Sequence, residues 1–146
     1  MSDRLEPDVR EAYKEFVSIS TRWMDNDAYG HVNNAVYYSW FDTAVNGFLI
    51  ERGLLESHAS DDVIGLVVST KCQYFMPVSF PTPVEIGLRI ARIGSSSVDY
   101  ELGVFSIGRH VAHARGTFTH AIVDRSSHRP VTLPARHRAI LEACYA

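Results

Sequence analysis

Residues 21–49 read TRWMDNDAYGHVNNAVYYSWFDTAVNGFL, a polar acidic loop opening directly into a long aromatic-rich segment. Within that segment Val36, Tyr37, Trp40, Phe41, Ala44, Val45, Phe48 and Leu49 recur at three- and four-residue steps, the spacing of one helix face. The apolar stripe is too wide for a helix lying on a surface, so the rest of the chain has to enclose it. Asn33 or Asn34 supplies the N-cap, because an Asn side chain accepts a hydrogen bond from an early amide. Arg52 and Gly53 supply the stop. Gly47 inside the helix costs about 1 kcal/mol relative to Ala, which points to a neighbouring backbone in close approach.

What encloses the helix is sheet. Lys14–Met24 alternates, with Val17, Ile19, Thr21 and Trp23 forming the half-buried row. After a loop from Leu54 to Asp61, Val63–Met76 is long and β-branched, and Pro77 ends it. Val84–Ile93 places Val84, Ile86, Leu88 and Ile90 on one face; after the turn Gly94–Ser97, Val98–Ile107 does the same with Val98, Tyr100, Leu102 and Val104. Val111–Asp124 is the last strand, Asp124–His128 a turn, and Pro134 opens a short terminal helix. Short connections favour antiparallel hairpins. One strand, one long helix and four strands make an α+β chain of a single domain, residues 1–146, with residues 1–12 as a surface lead-in.

Composition narrows the function. Net charge is −3, which excludes a generic nucleic-acid binder. There is no apolar run of membrane-spanning length and no signal-peptide pattern, so no membrane partner is expected. Cys72 and Cys144 show no metal or redox spacing, which fits a reduced, cytoplasmic setting. His110 and His113 invite a metal, but on a strand this spacing points them to opposite faces and no further ligands complete a site. No metal is expected.

The loop before the helix carries the chemistry. Unpaired amides at a helix N-terminus, at the positive end of the macrodipole, can hold a developing oxyanion. A carboxylate beside them, Asp25 or Asp27, can act as nucleophile or as general base on water. Together they suit hydrolysis of an activated acyl group.

RWMDNDAYGHVNNAVYYSWFD resembles the D-x-D-x-x-G-x-V signature and Tyr-bearing helix of the hotdog-fold thioesterases, specifically the 4-hydroxybenzoyl-CoA thioesterase-like family. The ordered strand text behind it, through GTFTHAIVDRSSHRPVTLP, extends the resemblance from Phe16 to about Leu141. It implies a hotdog fold, an antiparallel sheet wrapped around one long central helix, and an acyl-CoA thioesterase whose sites form between subunits of a homodimer or homotetramer. It implies Asp27 as the catalytic carboxylate, Asn34 as the oxyanion amide, and Asp25 and Gly30 as support for the loop. Some members place a catalytic His where Asn34 stands; here His31 lies earlier, either orienting loop or substrate or serving as plain structure. Ser95, Ser96 and Ser97 lie where similar proteins contact coenzyme A. Arg129, in the basic run Arg125, Arg129, Arg136 and Arg138, is suited to its phosphates. Coenzyme A then enters only as part of the substrate, with a carrier-protein thioester as the other form, and no separate cofactor is expected. The competing readings are a non-catalytic acyl-CoA sensor and a hotdog hydratase or dehydratase. The latter's His-Phe-Pro and Asp-x-Asn-Pro-x-His patterns are absent.

Overall fold

The computed structural model describes residues 6–55 and 62–145. Strands β1 (Glu15–Ile19), β2 (Val63–Tyr74), β3 (Val84–Ile93), β4 (Ser97–Ser106) and β5 (Ala114–Asp124) form one antiparallel sheet in the order β1-β3-β4-β5-β2. The long helix α1 (Val36–Glu51) lies in the curve of the sheet, and α2 (Ala135–Tyr145) packs against β3. This is the α+β hotdog arrangement that the sequence resemblance implies.

Alternation builds the inner face. Ile86 stands beside Val104, Leu88 beside Leu102 and Ile90 beside Tyr100, and all six are buried. β5 continues the layer with Phe118 opposite Tyr100 and Gly116 opposite Leu102. A Cβ at Gly116 would lie 2.4 Å from the ring of Phe41, so the missing side chain lets that fully buried ring reach the sheet. Burying a ring of this kind stabilises the fold by roughly 1.5–3 kcal/mol.

Three expectations are corrected. α1 begins at Val36 rather than at Asn33 or Asn34. Asn33 holds the opening turn: its Oδ1 accepts the Ala35 N–H at 2.9 Å and its carbonyl accepts the Val36 N–H at 2.9 Å. That turn is wound tighter than an α-helix, which delays the helix proper. At Gly47 a Cβ would meet nothing within 4 Å; the position shares a face with the exposed Thr43 and Ile50, away from the sheet. Strand β1 stops at Ile19, and the chain then folds into a 3-10 turn at Trp23–Asp25. Trp23 is consequently 76% exposed, its ring edge-on to Phe80. A local side-chain cap on the backbone has overridden the period-two pattern.

The segment ahead of β1 lies along the surface and is tied down there. Residues 1–5 lie outside the described residues, but 6–12 are fastened to the back of the sheet. Ala112 N donates to Asp8 O at 2.9 Å, Arg10 N to His110 O at 2.8 Å, and the Asp8 carboxylate pairs with Arg89 and Arg115. Tyr13 follows, only 5% exposed, in a slot made where Gly87 and Gly103 stand opposite each other. A Cβ at either glycine would come within 2.8 Å of its ring. The loop expected over Leu54–Asp61 lies, from 56 to 61, outside the described residues. At the end of α1 the stop is as expected: Leu54 N reaches back to Leu49 O at 2.8 Å and Gly53 N to Ile50 O at 3.0 Å.

Candidate active site

The loop between β1 and α1 is laced from both sides. Asp25, 2% exposed, accepts three bonds from Arg22: the backbone N–H at 2.8 Å, Nε at 3.0 Å and Nη2 at 2.8 Å. Its backbone carbonyl takes the Asn33 N–H at 2.8 Å. Asn26 Oδ1 accepts the Phe80 N–H at 3.0 Å, Val32 N donates to Val78 O at 2.7 Å, and Ser79 Oγ donates to Gly30 O at 2.8 Å. The segment 78–80 beyond β2 therefore holds the loop in place. Within it, Asp27 N bonds His31 O at 2.8 Å and Gly30 N bonds Asp27 O at 3.1 Å, closing a tight turn. Gly30 sits at φ 81°, in the left-handed region where a side chain is strained.

The two aspartates differ in how much of their bonding capacity is used. The Asp27 carboxylate accepts the Tyr29 N–H at 2.9 Å, its one hydrogen bond among the described residues. An ionised carboxylate has about four acceptor sites, so Asp27 retains capacity for water or substrate that Asp25 has spent on Arg22. Asn34 differs from its neighbours in the same way. The Asn33, Ala35 and Val36 amides have protein acceptors, whereas among the described residues the Asn34 N–H has none. The Asn34 carbonyl is fixed from the other side by the Tyr74 hydroxyl at 2.7 Å.

These groups border one cleft of about 500 Å³. Asp27, Tyr29, His31, Asn33, Asn34 and Tyr37 line it together with the run from Tyr74 to Pro77. The Tyr74 ring meets Tyr37 edge-on at 4.9 Å, and Tyr37 in turn meets Trp40 at 4.9 Å. Burial pushes the Tyr37 phenol up to about 12, so it stays protonated at neutral pH. Burial likewise pushes the Cys72 thiol up to about 11, which leaves no thiolate nucleophile there. His31 is exposed, with its backbone carbonyl holding the Asp27 amide and its residue lining the cleft.

Thus Asp27, His31 and Asn34 meet at one place, and Asp25 and Gly30 lie in the loop that carries them. Ser95, Ser96, Ser97 and Arg129 are not part of this cleft within one chain. The serine turn instead gives its carbonyls to structure, Ser95 O to Leu133 N at 2.8 Å and Ser96 O to Ile122 N at 2.8 Å. Arg129 is exposed, with its carbonyl on Asp124 N at 2.9 Å. Tyr29 and Tyr74 are the residues that sequence reasoning passed over. Tyr74 closes a strand just before Pro77, and only its pairing with the helix start reveals its part. His110 is exposed and His113 buried, both before β5 begins, and His113 Nε2 lies 2.9 Å from Ser106 Oγ. Among the described residues no cluster of His, Cys, Asp and Glu could hold a metal ion, and no helix is long and apolar enough to cross a membrane.

Comparison with known proteins places the fold. The model of the thioesterase-like superfamily matches residues 21–141. The crystal structure of the PA5185 protein from Pseudomonas aeruginosa strain PAO1 is 54% identical, covers 97% of this chain and 98% of its own, and has a TM-score of 0.91. BH1999 gentisyl-coenzyme A thioesterase is 23% identical over 87% of this chain and 99% of its own, with a TM-score of 0.77. Slr0204, a 1,4-dihydroxy-2-naphthoyl-CoA thioesterase from Synechocystis, is 14% identical over 86% and 93%, with a TM-score of 0.76. The last two speak to the fold alone. No curated protein matches the sequence.

Proposed function

The chain belongs to the thioesterase-like superfamily, and from that premise we propose that it hydrolyses an acyl-CoA to the free acid and coenzyme A at the cleft of Asp27 and Asn34. Thioester hydrolysis is the class of chemistry the family carries; the acyl-CoA substrate and the residue roles are our reading. The observation that carries it is the pairing, on one cleft, of an under-bonded carboxylate with a backbone N–H that has no protein acceptor at a helix start.

In this reading the thioester carbonyl oxygen accepts the Asn34 N–H, and the helix dipole favours the negative charge that develops there. Asp27 then acts in one of two ways. As a nucleophile it adds to the carbonyl carbon and expels the coenzyme A thiolate, leaving a mixed anhydride that water opens. As a general base it takes a proton from the water that attacks, and the thiolate leaves from the tetrahedral intermediate. A single turnover in ¹⁸O-labelled water separates the two, since label in the Asp27 carboxylate marks covalent attack.

Thiol release from a panel of short, long and aromatic acyl-CoAs tests the assignment. Asp27→Asn is expected to lower kcat by about 10²-fold or more, the scale of a lost general base or nucleophile, without lowering the melting temperature. Full activity in Asp27→Asn, or no turnover of any thioester, sinks this reading. Ser95, Ser96, Ser97 and Arg129 lie outside the cleft of their own chain, so their contact with coenzyme A is assigned to the cleft of a second copy in a homodimer or homotetramer. The two free cysteines, Cys72 and Cys144, favour a cytoplasmic setting.

A further inference from the structure

The run from Tyr74 to Pro77 on the Asp27 cleft is footed on His113, which does not itself line the cleft. The His113 carbonyl accepts two successive amides of that run, Phe75 N–H at 2.8 Å and Met76 N–H at 3.1 Å. One carbonyl taking two amides sets the direction of the chain just where β2 ends. Immediately before that footing, the Tyr74 hydroxyl donates to the Asn34 carbonyl at 2.7 Å. Just beyond it, the Val78 carbonyl takes the Val32 amide at 2.7 Å. The loop carrying Asp27 is thus aimed by a short run of chain that His113 supports.

His113 is 6% exposed and bound to β4 twice. Its backbone N–H donates to the Val104 carbonyl at 2.7 Å, and its ring Nε2 lies 2.9 Å from Ser106 Oγ. Burial, with the Arg109 cation nearby, holds the imidazole below the ordinary histidine range, so the ring is neutral at pH 7. Nδ1 is buried beside the Met76 and Pro77 carbonyls, which favour the ring proton there. Nε2 is then the acceptor of the Ser106 hydroxyl. A main-chain bond and a ring bond to the same strand fix the tilt of this residue, and with it the aim of its carbonyl.

We propose that His113 is a positioning residue for the Asp27 cleft: the bond between its imidazole and Ser106 aims the carbonyl that holds Phe75 and Met76, and so, through Tyr74, the peptide of Asn34. The path is one of contiguous hydrogen bonds, from Ser106 to the ring, from the His113 carbonyl to β2, and from the Tyr74 hydroxyl to the helix start. His113 touches no reacting atom. Its kinetic consequence rests on the thioesterase reading, whereas the setting of the Asn34 amide is readable without turnover.

The test pairs acyl-CoA kinetics with the ¹H–¹⁵N spectrum of the full-length protein. His113→Phe keeps a ring in place and removes both nitrogens. It is expected to lower kcat about ten-fold, the scale of a small loss of orientation, to leave KM as it was, and to shift the Asn34 amide peak. His113→Gln sets an amide oxygen within reach of the Ser106 hydroxyl and is expected to restore most of the kcat. Ser106→Ala is expected to reproduce the loss, and the double variant with His113→Phe to lose no more than either single one, because both remove the same bond. His110→Gln, at the exposed neighbouring histidine, is expected to behave as the parent does. The proposal is overturned if His113→Phe keeps the parent kcat, if it raises KM instead, if His113→Gln is no better than His113→Phe, or if the two losses add. Should the parent turn over no thioester, the hydrolase reading alone fails and the Asn34 peak decides: a shift in His113→Phe upholds the positioning role, and an unmoved peak overturns it. Should His113→Phe fail to fold, Ser106→Ala decides by the same readouts.

Discussion

The site depends on how single peptide groups are aimed, and Tyr74 shows this best. Its hydroxyl grips the Asn34 carbonyl from the end of an edge strand, fixing the peptide that follows the proposed oxyanion donor. Tyr74→Phe keeps the ring against Tyr37 and removes only that bond. We expect kcat to fall about ten-fold, the value of one hydrogen bond plus some loss of orientation, while KM and melting temperature hold. An unchanged kcat would mean that the helix start needs no such anchor. Much of this residue-level detail could be read in the sequence: the D-x-D loop, its glycine and the helix behind it already put Asp27 and Asn34 together. Tyr74 could not be read, because it meets Asn34 across forty positions of chain and no local pattern encodes that.

Among the elements, β3 and β4 are where alternation alone fixes register, since a one-residue slip would turn Ile86, Leu88 and Ile90 outward. β1 and the helix start depart from the sequence pattern for a common reason. In both, Asx-type side chains, Asp25 and Asn33, bond the backbone locally and end or delay the regular element. The contact between α1 and β5 rests on the absence of a side chain. Gly116→Ala would drive a methyl to 2.4 Å from Phe41 and 2.7 Å from the Lys71 carbonyl, neither of which can yield freely. Overpacking of this kind costs about 1–3 kcal/mol. Urea unfolding is expected to show a midpoint lowered accordingly with an unchanged slope, and an unaltered midpoint would show that helix and sheet can part there at no cost.

For the molecule as a whole, the longer of the sheet's two edges is β2. Among the described residues β2 pairs only with β5, and near its bulge Val67 and Val68 are 47% and 62% exposed. A long apolar edge of this kind invites another strand, and a two-fold axis across it would let the edge satisfy itself. Light scattering should therefore give at least twice the chain mass of 16.4 kDa. Val68→Asp, which sets two like charges near the axis, should shift the equilibrium toward single chains and take activity with it, because the coenzyme A contacts proposed for the serine turn and Arg129 of a second copy would be lost. A parent protein that runs as a single chain at micromolar concentration would refute the pairing. On the opposite face of the same sheet, the slot over Gly87 and Gly103 is filled by Tyr13. That has an outcome in the order of synthesis. Tyr13 leaves the ribosome 74 residues before Gly87 and 90 before Gly103, so its socket exists only once β4 has been made and paired with β3. The segment before β1 must therefore wait for β3 and β4, and sealing the back of the sheet belongs among the late steps of folding.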